Sequence, residues 1–377
     1  MKRYKFSDIA YNITEKKMPV PGDEKLYIGL EHLDSGSLQV SRWGGDIELK
    51  GEKLVMRKGD ILFGRRNTYL RRAAIAPHDG IFSAHGMIFR PNTDVVDPGF
   101  FPFFIASDYF MDEAIRISVG SLSPTVNWGT LKNLEFNLPD IPEQRHYAEL
   151  LAAFERTKEA YKKLISATDD LVKSQFIEMF GDPVANPKGW EVIPLNKSCQ
   201  LLTGNTPSRK ESGYYGSFME WIKSDNISPT SMFLSEAAER LSESGAAVGR
   251  VVGPGAILMT CIAGSLNTIG NVAIVDRQVA FNQQINALVP QKYETLVLYY
   301  LLQLIRPQLH EAANSALKCI LNKGTLGSIR TIVPDRNLQK TFALLAEQSD
   351  KSKFAAQQTL KELTDAQKAL MKKIFEQ

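Results

Sequence analysis

Residues 65 to 72 read Arg65, Arg66, Asn67, Thr68, Tyr69, Leu70, Arg71 and Arg72, so four arginines fall within eight positions. A guanidinium is a planar fork that binds phosphate oxygens or pairs with guanine O6 and N7, and an asparagine amide can do the same for adenine. Tyr69 adds a ring for stacking and a hydroxyl for a phosphate. The chemistry on offer is nucleic-acid recognition, and the competing reading is a solvated basic turn. A second polar string, Thr203, Asn205, Thr206, Ser208, Arg209 and Lys210, has two basic ends suited to a phosphate backbone. Ser265, Asn267 and Thr268 offer neutral hydrogen bonds to bases or phosphates, against the plain reading of a simple turn. His85 and the pair Asn282 and Gln283 supply groups for base edges, although amides at strand ends also satisfy neighbouring backbone.

Catalytic strings are missing from the same sequence. An amino-methyltransferase needs Asn or Asp, two prolines and an aromatic to hold a flipped base, plus a glycine-rich cofactor loop. The nearest string, Asp97-Pro98-Gly99-Phe100, lacks the second proline and reads as a turn. There is no GxxxxGK[ST] phosphate loop. His310-Glu311-Ala312-Ala313-Asn314 lacks the second imidazole that a zinc-protease helix requires. Pro139-Asp140 and Pro334-Asp335 stand in front of helical patterns, where Asp serves as an N-cap on the positive end of the dipole.

The elements that must carry these strings come in duplicate. A shift of about 195 residues lays Tyr27-Ile28 on Trp221-Ile222, Gly59-Asp60-Ile61-Leu62-Phe63 on Gly255-Ala256-Ile257-Leu258-Met259, Gly129-Thr130-Leu131 on Gly324-Thr325-Leu326, and Leu138-Pro139-Asp140 on Val333-Pro334-Asp335. Turn glycines before short apolar runs predict strands. After each Pro-Asp pair a segment poor in glycine and proline carries apolar residues three and four apart, which predicts a long helix. We expect the helix-helix seam at Leu150, Phe154, Tyr161, Leu164 and Leu171 in the first helix, and at Leu345, Ala356, Leu363 and Leu370 in the second. The expected organisation is a globular unit over 1–138, a helix over 139–180, a linker over 181–189, a second globular unit over 190–333 and a second helix over 334–377. The fold class is α+β: two tandem mixed units with a pseudo-two-fold duplication, separated by two long helices paired as an antiparallel coiled coil.

This order, with Gly181-Asp182-Pro183, Asn186-Pro187-Lys188-Gly189-Trp190 and Gly204-Asn205-Thr206-Pro207-Ser208 in the linker and after it, resembles the specificity subunits of type I restriction-modification systems. The likeness covers nearly the whole chain, but the first half has Val20-Pro21-Gly22 where the second has the Gly-to-Ser string. The resemblance implies that each globular unit is a target recognition domain reading a few base pairs of double-stranded DNA. It also implies that two methyltransferase subunits clamp around the helices, and that two motor-nuclease subunits can join. S-adenosylmethionine, and ATP with magnesium, would be bound by those partners, with no cofactor or metal on this chain and no chemistry of its own.

Composition agrees with a folded protein: 44% hydrophobic and 23% charged residues leave no tract that reads as disordered. A net charge of +3 permits nucleic-acid binding without requiring it. Cys199, Cys261 and Cys319 are scattered and odd in number, so a disulfide framework is not expected, and with no secretion-type stretch or span of roughly 20 apolar residues the expected place is the cytoplasm. A helix of about 36 residues is roughly 54 Å long, which bounds an unread spacer at about 16 base pairs. Two other classes stay open: a single-chain nuclease or methyltransferase with unrecognised motifs, and a coiled-coil scaffold that does not touch DNA.

Overall fold

The computed structural model describes residues 1–45, 48–314 and 320–375; Cys319 lies outside them. The chain divides into two compact units, Met1–Lys162 with Gln358–Gln377 and Lys163–Gln357.

In the first unit Lys2–Lys5 pairs antiparallel with Glu135–Leu138, which closes the globular part on itself. Between them lie two four-stranded sheets. One is antiparallel, in the order Ala10–Ile13, Met87–Pro91, Ile61–Phe63, Ala73–Ile75. The other places Tyr27–Ile28 parallel to Gly80–Phe82, with Lys53–Met56 antiparallel on the far side. The strands are short because turns interrupt them; at Gly59 the turn takes φ +90°, a conformation that favours glycine. Phe6, Phe89, Phe110 and Phe136 fill the core edge-on or tilted, with Phe6 5.2 Å from Phe89 and 5.1 Å from Phe110.

The second unit repeats this plan. Glu191–Pro194 closes on Arg330–Val333. The antiparallel sheet runs Cys199–Thr203, Ile285–Pro290, Ile257–Thr260, Val272–Ile274. Tyr215–Ile222 is parallel to Val279–Phe281, as its counterpart is in the first unit, with Val251–Val252 antiparallel on the other side. A common strand order with one parallel pair in the same place is the structural content of the duplication seen in the sequence.

The two long helices are Ile141–Phe180 and Arg336–Phe375, each of 40 residues. Their starts are built alike. Asp140 Oδ1 accepts from the Glu143 amide at 2.9 Å and Asp335 Oδ1 from the Asn337 amide at 2.8 Å, which occupies amides that the first helical turn leaves unpaired. The buried Gln144 donates to Pro139 O and Val95 O and accepts from the Asp97 amide. Gln339 repeats the set with Pro334 O, Lys292 O and the Glu294 amide. The first helix stops at Gly181, whose φ of +79° ends the run. The linker string is its C-terminal cap: Lys188 Nζ donates to the Glu178 and Met179 carbonyls, and Trp190 Nε1 donates to Phe180 O at 2.8 Å.

In the first unit Lys158 and Glu155 meet Gln367, at 2.7 and 2.8 Å, and Phe375 stacks on Tyr109 at 5.3 Å. In the second unit Lys353 donates to Asp169 at 2.7 Å, while Phe176 and Phe180 pack on Phe342. Rising numbers on one helix meet falling numbers on the other, so the pair is antiparallel. The expected seam is corrected, however. Leu150, Leu164 and Leu171 are 38%, 50% and 54% exposed, and Phe154 and Tyr161 only half-buried. The buried stripe lies one residue further on, at Leu151, Lys158, Val172 and Phe176. On the second helix Ala356 is buried and Leu345, Leu363 and Leu370 are half-buried, with Phe342, Ala346, Gln367 and Ile374 fully inside. A seam that includes Lys158, Gln367, Asp169 and Lys353 does not announce itself by apolar spacing.

Candidate nucleic-acid interface

In the first unit the arginine string follows the buried strand Ile61–Phe63 and wraps into a single 3₁₀ turn, Thr68–Leu70. Asn67 enters that turn at φ +54° and Arg71 leaves it at φ +49°, both in the left-handed region that non-glycine residues rarely occupy. Such a conformation persists only where surroundings over-determine it. Here the Asn67 amide donates to Pro124 O, the Val126 amide to Arg65 O, Thr68 Oγ1 to Arg65 O and Ser35 Oγ to Leu70 O. The fixed turn leaves Tyr69 and Arg66 exposed. Arg65, Arg66 and Arg72 make no ion pair among the described residues: Arg66 is exposed with Nη2 donating to Ser123 Oγ at 3.3 Å, while Arg65 and Arg72 are half-buried and the Arg65 Nε is buried without a hydrogen-bond partner. Arg71 differs: it is held in a fork of Asp108, at 2.9 Å, and Asp112, on the helix Asp108–Arg116. His85 is exposed in the turn after Gly80–Phe82.

The corresponding loop of the second unit follows Ile257–Thr260 and makes the 3₁₀ turn Leu266–Thr268, with Ser265 as its N-cap accepting from the Asn267 amide. Ser265 and Asn267 are exposed and Thr268 half-buried. Gly270, at φ +77°, takes the left-handed position that Arg71 takes in the first unit. Arg306 Nη2 donates to Asn267 O and to Asn271 Oδ1, and His310 bonds to Ile269 O at 2.9 Å. This contact, rather than a metal, is what the His310 string serves.

The loop over residues 204–210 is pinned from below. The Arg209 guanidinium forks onto Glu239 and lies 4.3 Å from the Tyr215 ring centroid and 5.4 Å from that of Trp221. Tyr215 Oη donates to Pro207 O, and Lys223 reaches Glu239 from the other side. Hydrogen bonding to Arg209, against an opposing desolvation cost and aided by Lys223, holds the Glu239 carboxyl below its ordinary pKa. Thr206, Ser208 and Lys210 are exposed, with Thr206 Oγ1 on Gln283 Oε1. Asn282 is a correction: it is 6% exposed and both ends of its amide are spent on Gln284, so it builds the turn and cannot reach a base edge as it stands. Its carbonyl also explains Gly204, since a Cβ there would sit 2.0 Å from Asn282 O. Sequence reasoning did not find Asp108, Asp112, Glu239 or Arg306 as partners of these loops, because they lie about 30 to 40 positions away.

Among the described residues no group of three or more His, Cys, Asp or Glu is placed to hold a metal, and no helix is long and apolar enough to cross a membrane. Asp97 Oδ1 accepts from the Gly99 and Phe100 amides, which is a turn. Burial pushes the Cys199 and Cys261 thiols up to about 12.

Two copies of one α+β recognition fold, each presenting a braced polar loop beside a long paired helix, define a duplicated recognition protein. The profile of the type I restriction modification DNA specificity domain matches twice, over residues 7–167 and 187–364, and the chain belongs to that family, whose function is DNA target recognition. It is 20% identical to the type I restriction enzyme HindI specificity subunit of Haemophilus influenzae, an alignment covering 90% of this chain and 91% of that one. Its fold is similar to that of a chain from a study of complex assembly and conformational transition of the type I R-M system, at TM-score 0.58, 20% identity and coverage of 99% and 97%. It is also similar to the type I restriction-modification S subunit from M. genitalium, at TM-score 0.58, 15% identity and coverage of 99% and 96%.

Proposed function

We propose that the chain is the specificity subunit of a type I restriction-modification complex, and that its two units read an asymmetric, bipartite duplex target. The observation that carries this reading is the pairing of one fold with unlike loops: four arginines in residues 65–72 and none in residues 260–268. Two heads of the same architecture with different side chains at the tip select different half-sites, unlike the two identical heads of a symmetric dimer. The proposed contacts are Arg65, Arg66, Asn67, Tyr69, Arg72 and His85 in the first unit, and Thr206, Ser208, Lys210, Gln283, Ser265, Asn267 and Thr268 in the second. Arg71 and Arg209 join them by shaping the loops.

Methylation comes from two partner subunits that bind S-adenosylmethionine, and any cleavage from ATP-using motor subunits. The exposed Leu164 and Leu171, both in the second unit, offer a methylating partner apolar positions on the first long helix. The complex works in the cytoplasm. Helix length sets the unread spacer, so deleting whole turns from both helices shortens the preferred spacing.

The test is a titration of the purified chain on duplexes across salt, followed by selection from a random duplex pool. We expect affinity to fall with a slope of about −0.9 per phosphate contact, and a selected motif with two unequal halves. A flat salt response overturns the reading in favour of a protein scaffold. Cleavage or methylation by the isolated chain overturns it in favour of an enzyme.

A further inference from the structure

The two reading loops are held by the same device with opposite polarity. In each unit the loop after the buried strand turns once in a 3₁₀ helix and has a left-handed residue two positions before the return strand: Arg71, which leaves the turn directly, or Gly270, which follows the extended Ile269. In each unit a nine-residue helix, Asp108–Arg116 or Arg306–Asn314, runs past that turn. Its residues one turn apart reach the loop: Asp108 and Asp112 take the Arg71 side chain, whereas Arg306 and His310 take the Asn267 and Ile269 carbonyls and the Asn271 amide oxygen. The helix side chains are acceptors in one unit and donors in the other.

We infer that Asp108 and Asp112, and Arg306 and His310, are positioning residues that set the pose of the two reading loops and so help to decide which bases each head accepts. The inference rests on the proposal that these loops read DNA. Three features support it. Arg71 has a left-handed backbone, and the carboxylate fork occupies its guanidinium without any other partner among the described residues. Asp108 and Asp112 are 81% and 64% exposed at the side chain, so burial does not explain their placement on Arg71. Arg306 stands in the first turn of its helix, and its Nη2 donates to Asn267 O and to Asn271 Oδ1 at 2.7 Å, which ties that helix to the loop. The left-handed exit needs a side-chain anchor in the first unit, where the residue is Arg71, and none in the second, where it is Gly270. There the helix grips the backbone instead.

The experiment compares the full chain with D108N/D112N and with R306M/H310F, by hydrogen exchange without DNA and by selection from a random duplex pool. D108N/D112N should speed exchange at residues 67–71 by about tenfold and leave residues 266–271 as they were; R306M/H310F should do the reverse. Each variant should alter base preference in one half of the selected motif only. Unchanged exchange, or equal loosening of both loops, overturns the brace whatever the chain binds. Altered exchange with unaltered base preference overturns its role in reading. A wild-type chain that selects no motif while exchange responds as expected sinks the DNA proposal and leaves the brace standing. The single variants D108N, which removes one charge, and H310F, which removes one donor, repeat the exchange measurement if a double variant fails to fold.

Discussion

The tips of the two heads differ far more than the scaffolds beneath them. Residues 64–72 and residues 261–270 leave equivalent strands, make one 3₁₀ turn and return to equivalent strands. One tip carries four arginines, and the other presents a serine, an asparagine and a threonine and no charge. The buttresses follow the same inversion, carboxylate acceptors under the arginine loop and an arginine and a histidine as donors under the neutral one. By contrast Gln144 and Gln339, buried at the helix starts, make the same three hydrogen bonds in both halves. After a duplication, a buried amide that must satisfy three backbone groups is not free to drift, since leaving them unpaired is costly. A solvent-facing loop carries no such penalty and is free to diverge into a second specificity.

The comparison breaks most directly at the arginines. Replacing Arg65, Arg66 and Arg72 together with alanine should flatten the salt slope of duplex binding by up to about 2.7, at roughly 0.9 per phosphate contact, while S265A/N267A should shift it by less than about 1. Equal changes would mean that the heads engage the backbone alike. Next in size, Q144A and Q339A should each cost about 1–3 kcal/mol in urea unfolding. Their near equality would support the duplicated scaffold, and a large disparity would undermine it.

A smaller effect concerns the Arg209 clamp; the loop that stands in its place in the first unit is tied by Lys17 to Asp23 at 2.9 Å. The folded-state pKa of Glu239 is depressed, chiefly by Arg209. Its contribution to stability is therefore fully present above the unfolded value of about 4.3 and is lost as pH falls through the lower folded value. Acid should release residues 204–210 as Glu239 takes up its proton, as followed by exchange, and E239Q should show the released loop already at neutral pH. The smallest response is at the thiols: with Cys199 and Cys261 buried and their pKa pushed up to about 12, alkylation of the native chain at these two positions should be negligible at pH 7–8 and become rapid in denaturant.

Much of the fold was legible because duplication writes itself twice. Pro139-Asp140 and Pro334-Asp335 stood before helices, and each aspartate caps one. The linker string looked like a motif, and it is a C-terminal cap in which Lys188 and Trp190 satisfy carbonyls of the first helix. The site was less legible. Leu150, Leu164 and Leu171 have coiled-coil spacing yet lie outside the seam, since periodicity reveals that a face is apolar and not which neighbour covers it. Asn282 looked like a base reader because its side chain is suitable, but its amide is already spent on Gln284. Arg71 and Arg66 are indistinguishable as letters.

The amino-acid sequence alone determined the α+β duplication, the two long helices and the unequal charge of the two tips, because these depend on local propensity, spacing and composition. The tertiary structure decided which polar groups are committed and which are free. Arg71 to Asp108 and Asp112, Arg209 to Glu239, and Arg306 to the Asn267 carbonyl are pairings across about 30 to 40 residues. Side-chain chemistry offers each of these groups many partners, and only the folded backbone brings one of them within hydrogen-bonding distance.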